Sequence, residues 1–204
     1  MRKDFFATPI YAFQVPFEFL SNWMTAIKEL KEQHPKSKDA PFNRGHKIRV
    51  NLFNDPRFQD FKQIVIERVT TVANDLLIDL NRMEIHADHA WASINKKNDF
   101  NEFHNHPNCD LSGTFYLRST PLSGHIRFRD PREPVLLRVP LMGESSLLID
   151  NATFAPNEGT MLIFPSWLMH QVEPNPMDFE RISLSFNISF KVKSELVGSV
   201  QKEW

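Results

Sequence analysis

Residues 101–119 read NEFHNHPNCDLSGTFYLRS, and the reading of this stretch decides the fold. Its second half, Leu111 to Arg118, is rich in aromatic and β-favouring residues bounded by turn formers, the mark of a β-strand. Its first half carries His104 and His106 with one residue between them. In extended chain such residues share a face at about 6–7 Å, so two imidazoles can converge on one ion. The candidate metal site therefore sits at the lip of a sheet.

Outward from this stretch the two-residue period recurs. His86 to Asn95, His125 to Arg129, Val135 to Val139, Thr160 to Pro165 and Arg181 to Phe190 all read as strands. They are separated by the turn clusters KKND, TPLSG, DPREP, APNEG and EPNPMD. Many short strands with such punctuation predict a mostly β fold, a sandwich or jelly roll, and argue against a parallel α/β sheet.

Before Met83 the period is helical. Phe17, Leu20, Trp23, Met24, Ile27 and Leu30 form one stripe that should stop near His34-Pro35, because proline pushes its predecessor out of the α region. A polar loop is expected from Lys36 to Lys47. A second helix opens at Asp55-Pro56, an N-cap acid followed by proline at the first helical position, with an apolar face running from Phe58 to Leu80. The expected organisation is a single domain over 1–204. Residues 1–82 supply an N-terminal strand and two supporting helices, 83–191 the β core and 192–204 a C-terminal tail.

Composition narrows the chemistry. The 204 residues contain a single Cys, which excludes a disulfide scaffold and any multi-thiolate metal site. Any metal must be held by histidine and oxygen. Twenty-four basic against 25 acidic residues give a formal net charge of −1, so there is no general pull toward nucleic acid or anionic lipid. No stretch approaches a membrane span and the first residues lack a signal-like apolar run, so a soluble cytoplasmic protein is expected. Aromatic usage is lopsided, with 18 Phe and 4 Trp against 2 Tyr.

Five of the eight histidines have no assigned chemistry. His34 sits at a helix end, His46 in the loop, His86 and His89 on opposite strand parities, and His125 on a separate strand. His170 is different. In GTMLIFPSWLMHQVEPN (159–175) an apolar strand ends at Pro165 and a short turn delivers His170 to the start of the next segment. A pair at one strand end plus a distant histidine is how a jelly roll assembles a metal site from separate strands.

RISLSFNISF (181–190) puts Arg181, Ser183, Ser185 and Asn187 on one face and Ile182, Leu184, Phe186 and Ile188 on the other. If the polar face lines a barrel interior, Arg181 is a buried cation that needs an anionic partner, with Ser183 one pleat along to add a hydroxyl.

In this order, H-x-H-P, L-S-G-x-x-Y-L, F-x-D-P-R, F-P-S-W-L-x-H and R-I-S-x-S-F-N, the chain resembles the Fe(II)/2-oxoglutarate-dependent oxygenases, the prolyl-hydroxylase-type dioxygenases among them. The likeness is strong from about Ala90 to Phe190 and weak in the N-terminal FFATPIYAF. It implies a double-stranded β-helix, cupin-like, with flanking helices, Fe(II) at the barrel mouth and 2-oxoglutarate as cosubstrate. On that pattern His104 and His170 are the standard histidine ligands. Arg181 with Ser183 binds the distal carboxylate of 2-oxoglutarate, and Tyr116 stands near it.

The departure from the family pattern is His106, where the usual motif has a carboxylate. It is either a third neutral ligand, or replaced in that role by Asp110 or Glu102, or set behind a water. Geometry favours the first, since the i, i+2 position already aims its ring at the metal. The implied reaction couples decarboxylation of 2-oxoglutarate to succinate with oxidation, most simply hydroxylation, of a small-molecule or peptide substrate by O2.

Two other readings stand beside it. A cupin-type dioxygenase or isomerase would use Asp110 as a fourth ligand and need no Arg181. A degenerate jelly roll would only bind a small molecule or a partner. Cys109 reads as a small buried side chain, Arg127, Arg129 and Arg132 as a solvated strand end, and Asp130-Pro131-Arg132 matches the family pattern without an assignable role.

Overall fold

The computed structural model describes residues 6–35, 43–132 and 150–196. The expected strand from Val135 to Val139 lies outside them. The N-terminal segment supplies strand β1 (Tyr11–Gln14), helix α1 (Leu20–Gln33), strand β2 (His46–Ile48) and helix α2 (Gln59–Asp75). The rest is β: β3 (Met83–Asn95), β4 (Asn101–His104), β5 (Leu111–Arg118), β6 (Ile126–Arg129), β7 (Asn151–Phe154), β8 (Thr160–Pro165), β9 (His170–Val172) and β10 (Arg181–Val192). A six-stranded sheet has the order β1-β8-β5-β10-β3-β2, and a four-stranded sheet the order β4-β9-β6-β7. All strand pairs are antiparallel. No helix among the described residues is long and apolar enough to cross a membrane.

Alternation along the large sheet sorts its two faces. Ile182, Leu184, Phe186 and Ile188 of β10 join Ala90, Ala92 and Ile94 of β3 and Phe115 of β5 in one buried cluster with the apolar stripes of both helices. The helices thus cover the outside of the barrel. Much of the phenylalanine surplus is spent here: Trp23, Phe53, Phe61, Phe115 and Phe186 meet at ring-centroid distances of 5.4–6.4 Å. Each fully buried aromatic contributes about 1.5–3 kcal/mol through the apolar area removed from water. Gly113 makes this possible, because a Cβ there would stand 2.2 Å from the Phe186 ring. The opposite faces of β5 and β8, with β6, form a second cluster around Tyr116, Phe128, Leu162 and Phe164 inside the barrel.

Three local expectations are corrected. Asp55 accepts from the Arg57 backbone and Pro56 takes the first position as predicted, but of a 3-10 turn (Pro56–Phe58) that leads into α2, and α2 ends at Asp75 and does not reach Leu80. Leu77 takes a left-handed φ of 58° and Ile78 N–H reaches back to the Ala73 carbonyl at 2.9 Å, closing a Schellman turn. His46 is not in a loop: it is 7% exposed on β2 and its Nε2 lies 2.6 Å from the His34 carbonyl. Finally, β3 carries a bulge. Asn187 pairs with His89, Ile188 with Ala87 and Ser189 with His86, so Asp88 is an extra residue. That extra residue resets the parity and brings His86 and His89 opposite two residues of the same face, not of opposite faces.

Candidate metal centre

His104 and His170 are direct partners in the β4–β9 register, and His106 follows on the loop that leaves β4. One ring nitrogen from each of the three lies within 4.8 Å of the others. The ring centroids are 4.4 Å apart for His104 and His170 and 5.2 Å from each of these to His106. The loop is held by the turn after β8: His106 N–H donates to the Ser166 carbonyl, Ser166 N–H to the Asp110 carbonyl, and Ser166 Oγ to the Cys109 carbonyl. The F-P-S-W-L segment thus supports one histidine of the triad while delivering another, His170.

Tautomers follow from the backbone. His104 Nδ1 lies 2.7 Å from the Glu102 carbonyl and His170 Nδ1 2.8 Å from the Leu168 carbonyl. A carbonyl only accepts, so each Nδ1 carries the proton and each Nε2 keeps its lone pair free for a cation. Burial, with the neighbouring charges of His104 and Lys47, pushes His106 down to about 4. Burial does the same to His170, to about 3, and lowers His104 as well. All three imidazoles are neutral near pH 7, as metal ligands must be. The donor set therefore fits a divalent ion that takes nitrogen ligands and retains open positions.

The alternative ligands are turned away. Asp110 Oδ2 accepts from Phe190 N–H at 2.6 Å on β10, and Glu102 lines a separate groove beside β9. Cys109 Sγ faces the His106 carbonyl at 3.4 Å, and burial raises its thiol pKa.

The triad opens into a cavity whose other walls are the inner faces of β3, β5 and β10. Arg181 lines it and is only 1% exposed. Its Nη1 donates to the carbonyls of Ser123 and Gly124 at 2.8 and 2.7 Å. Gly124 has φ +87°, and a Cβ there would stand 2.6 Å from the Glu173 carbonyl and 3.0 Å from Arg181 Nη1. Burial disfavours the guanidinium charge, which Tyr116 and Asp99 partly offset; no carboxylate among the described residues pairs with it. Ser183 and Tyr116 are partners across β10 and β5 and both face the same space. Burial raises the Tyr116 hydroxyl pKa, so it remains a protonated donor.

All six residues singled out for the site thus line one cavity. Sequence reasoning missed three others. Lys47 projects from β2, its Nζ donating to the Asn101 amide oxygen at 3.0 Å once that amide faces Phe100 with its NH2. Burial, then Arg49, pushes Lys47 down to about 8. Trp91 stands between His89 and His106 at centroid distances of 5.9 and 5.6 Å. Asn95 pairs in register with Arg181. The strand period placed Trp91 and Asn95 on one face, but only the barrel's closure showed which face was inside.

A double-stranded β-helix with an inward histidine triad at one end and a buried arginine deeper in is the frame of a metal-dependent barrel enzyme. Residues 89–187 match the family model described as "Putative 2OG-Fe(II) oxygenase". The matched segment contains His104, His106, Tyr116, His170, Arg181 and Ser183, and the likeness is to oxygenases that use Fe(II) and 2-oxoglutarate. The fold recurs in a Pseudomonas putida prolyl-4-hydroxylase, at 11% identity over 92% of this chain and 94% of that one, with a TM-score of 0.61. HygX from Streptomyces hygroscopicus, solved with nickel and 2-oxoglutarate bound, gives 12% identity over 89% and 83% and a TM-score of 0.62. A viral collagen prolyl hydroxylase of Paramecium Bursaria Chlorella virus-1, in complex with 2-oxoglutarate, gives 13% over 90% and 96% and a TM-score of 0.58. No curated protein matches the sequence.

Proposed function

We propose that His104, His106 and His170 hold Fe(II) through three neutral imidazoles, that Arg181 with Ser183 and Tyr116 binds the distal carboxylate of 2-oxoglutarate, and that the enzyme is a hydroxylase. The observation that carries this reading is that a buried arginine with no acidic partner among the described residues shares one cavity with the triad. A buried cation of that kind is costly until an anion arrives, and its planar fork suits a carboxylate. The bound iron would supply O2 activation and polarise the 2-oxo acid. What the chain supplies is placement.

The carbonyls of Ser123 and Gly124 fix one edge of the Arg181 guanidinium, so the remaining N–H groups present a set direction to the cosubstrate. Tyr116 donates its hydroxyl hydrogen, and Ser183 sits beside it in register. The backbone carbonyls of Glu102 and Leu168 orient His104 and His170, as outer hydrogen bonds do for ligating histidines. Phe128 and Phe164, 5.9 and 4.8 Å from the His170 ring, keep that side of the centre dry. A three-histidine centre is one unit more positive than one with a carboxylate, which favours an incoming dianion. We take residues 1–82 as scaffold for this barrel within a single domain. The prolyl-hydroxylase and HygX structures support the reading by fold, metal and cosubstrate.

The test is 2-oxoglutarate turnover to succinate without added substrate, with R181A beside the wild type. A charged hydrogen-bond pair contributes about 1.5–3 kcal/mol, so R181A should weaken 2-oxoglutarate roughly 10- to 150-fold while iron affinity stays. Equal 2-oxoglutarate binding by R181A would remove that residue from the site.

A further inference from the structure

The cavity wall contains no Asp or Glu among the described residues, yet two cations stand in it, Arg181 and Lys47. Only the first has a partner on the reading above, on which this inference rests. There 2-oxoglutarate brings two carboxylates, one for Arg181 and one for the metal. Lys47 is then left over.

Its position is defined by the sheet. Lys47 pairs with Ser93, Ser93 with Ser183 and Ser183 with Tyr116, so these four side chains form one inward row across β2, β3, β10 and β5. Lys47 ends that row at the open edge of the large sheet, where β2 approaches β4 and its Nζ meets Asn101. It lines the same cavity as His104, His106 and His170, and its partner Asn101 stands on β4, the strand that ends at His104. No carboxylate among the described residues lies within ion-pair distance of it. Arg49, two residues on and exposed, adds positive charge outside. Among the described residues this half-buried ammonium is flanked by cations and neutral amides, an arrangement that an incoming anion completes.

We infer that Lys47, with Asn101 beside it, seats a carboxylate of the primary substrate, which makes that substrate a small carboxylic acid. An acid bound at Nζ has its neighbouring carbons over the triad, with the Trp91 face beside them. The cavity is shared with 2-oxoglutarate, which limits the acid to a small molecule.

The experiment uses the Fe(II)-loaded protein without O2 and follows binding by calorimetry and by tryptophan fluorescence. In a first arm, 2-oxoglutarate is titrated into wild type, K47M and K47R. The three should agree within about twofold. A tenfold loss in K47M would hand Lys47 to 2-oxoglutarate and overturn the proposal. In a second arm, a panel of N-acetyl amino acids and the matching N-acetyl amino amides is titrated into the 2-oxoglutarate complex. In the wild type at least one acid should bind tenfold or more tighter than its amide. K47M should lose that preference and K47R should keep it. Acids and amides binding alike in the wild type, no acid binding at all, or a preference that survives in K47M would each overturn it. Failure of the underlying reading is separately visible, as absent 2-oxoglutarate binding by the wild type in the first arm.

Discussion

Single side chains in this protein are set against stability where they serve the site. Lys47 has its pKa pushed down to about 8 by burial and by Arg49. The folded state therefore disfavours its charge at pH 7, and K47M in metal-free protein should raise the melting temperature. About 1 kcal/mol would appear as roughly 2–4 °C in a chain of this size, read by thermal denaturation. The histidines have the same origin and a definite sign. His106 and His170 are held near 4 and 3 in the fold, whereas an unfolded histidine titrates near 6.5. Between those values the unfolded chain binds more protons, so metal-free stability is full above about pH 6.5 and falls as the pH drops toward 4. Each histidine adds at most about 1.4 kcal/mol per pH unit to that slope. Denaturant midpoints in the presence of a chelator should show it, and H106A should have the shallower slope. An equal slope in H106A would contradict the assignment of a neutral buried ring.

At the level of elements, long patterned segments were legible in the sequence and short ones were not. β5 and β8 have the bounds their period predicts, and β10 is two residues longer. β2 and β9 have three residues each and β7 has four, too few to carry a period, so their pairing comes from the closed barrel. This is why Lys47 read as part of a polar loop. The candidate site residues could be singled out because His104 and His106 alternate at a strand end while His170 and Arg181 follow or open apolar segments. What the residues did not reveal was the support: the Ser123 and Gly124 carbonyls under Arg181, and Ser166 under the His106 loop. Two substitutions test the element-level assignments. Leu77 is 89% exposed with φ 58°, so L77G removes a strained side chain without losing packing and should stabilise the protein by about 1 kcal/mol. G113A puts a methyl group into the Phe186 ring and should destabilise it by about 1–3 kcal/mol. Chemical denaturation reads both.

For the molecule as a whole, the division of labour is clear. Two helices and the outer face of the large sheet provide an aromatic core, which frees the inner face to be polar. The small sheet brings two histidine strands together, and the turn after β8 ties the His106 loop to them. The near-zero net charge of the chain conceals a cavity that is strongly cationic once a metal is present. The most direct measurement is an anaerobic visible titration of Fe(II) and then 2-oxoglutarate into wild type, H106A and D110N. The wild type should develop a weak charge-transfer band at one iron per chain. D110N should match it, because Asp110 is engaged with the Phe190 backbone, and H106A should lose iron affinity at least tenfold. No band in the wild type, or a band that survives in H106A and vanishes in D110N, would contradict a three-histidine 2-oxoglutarate centre.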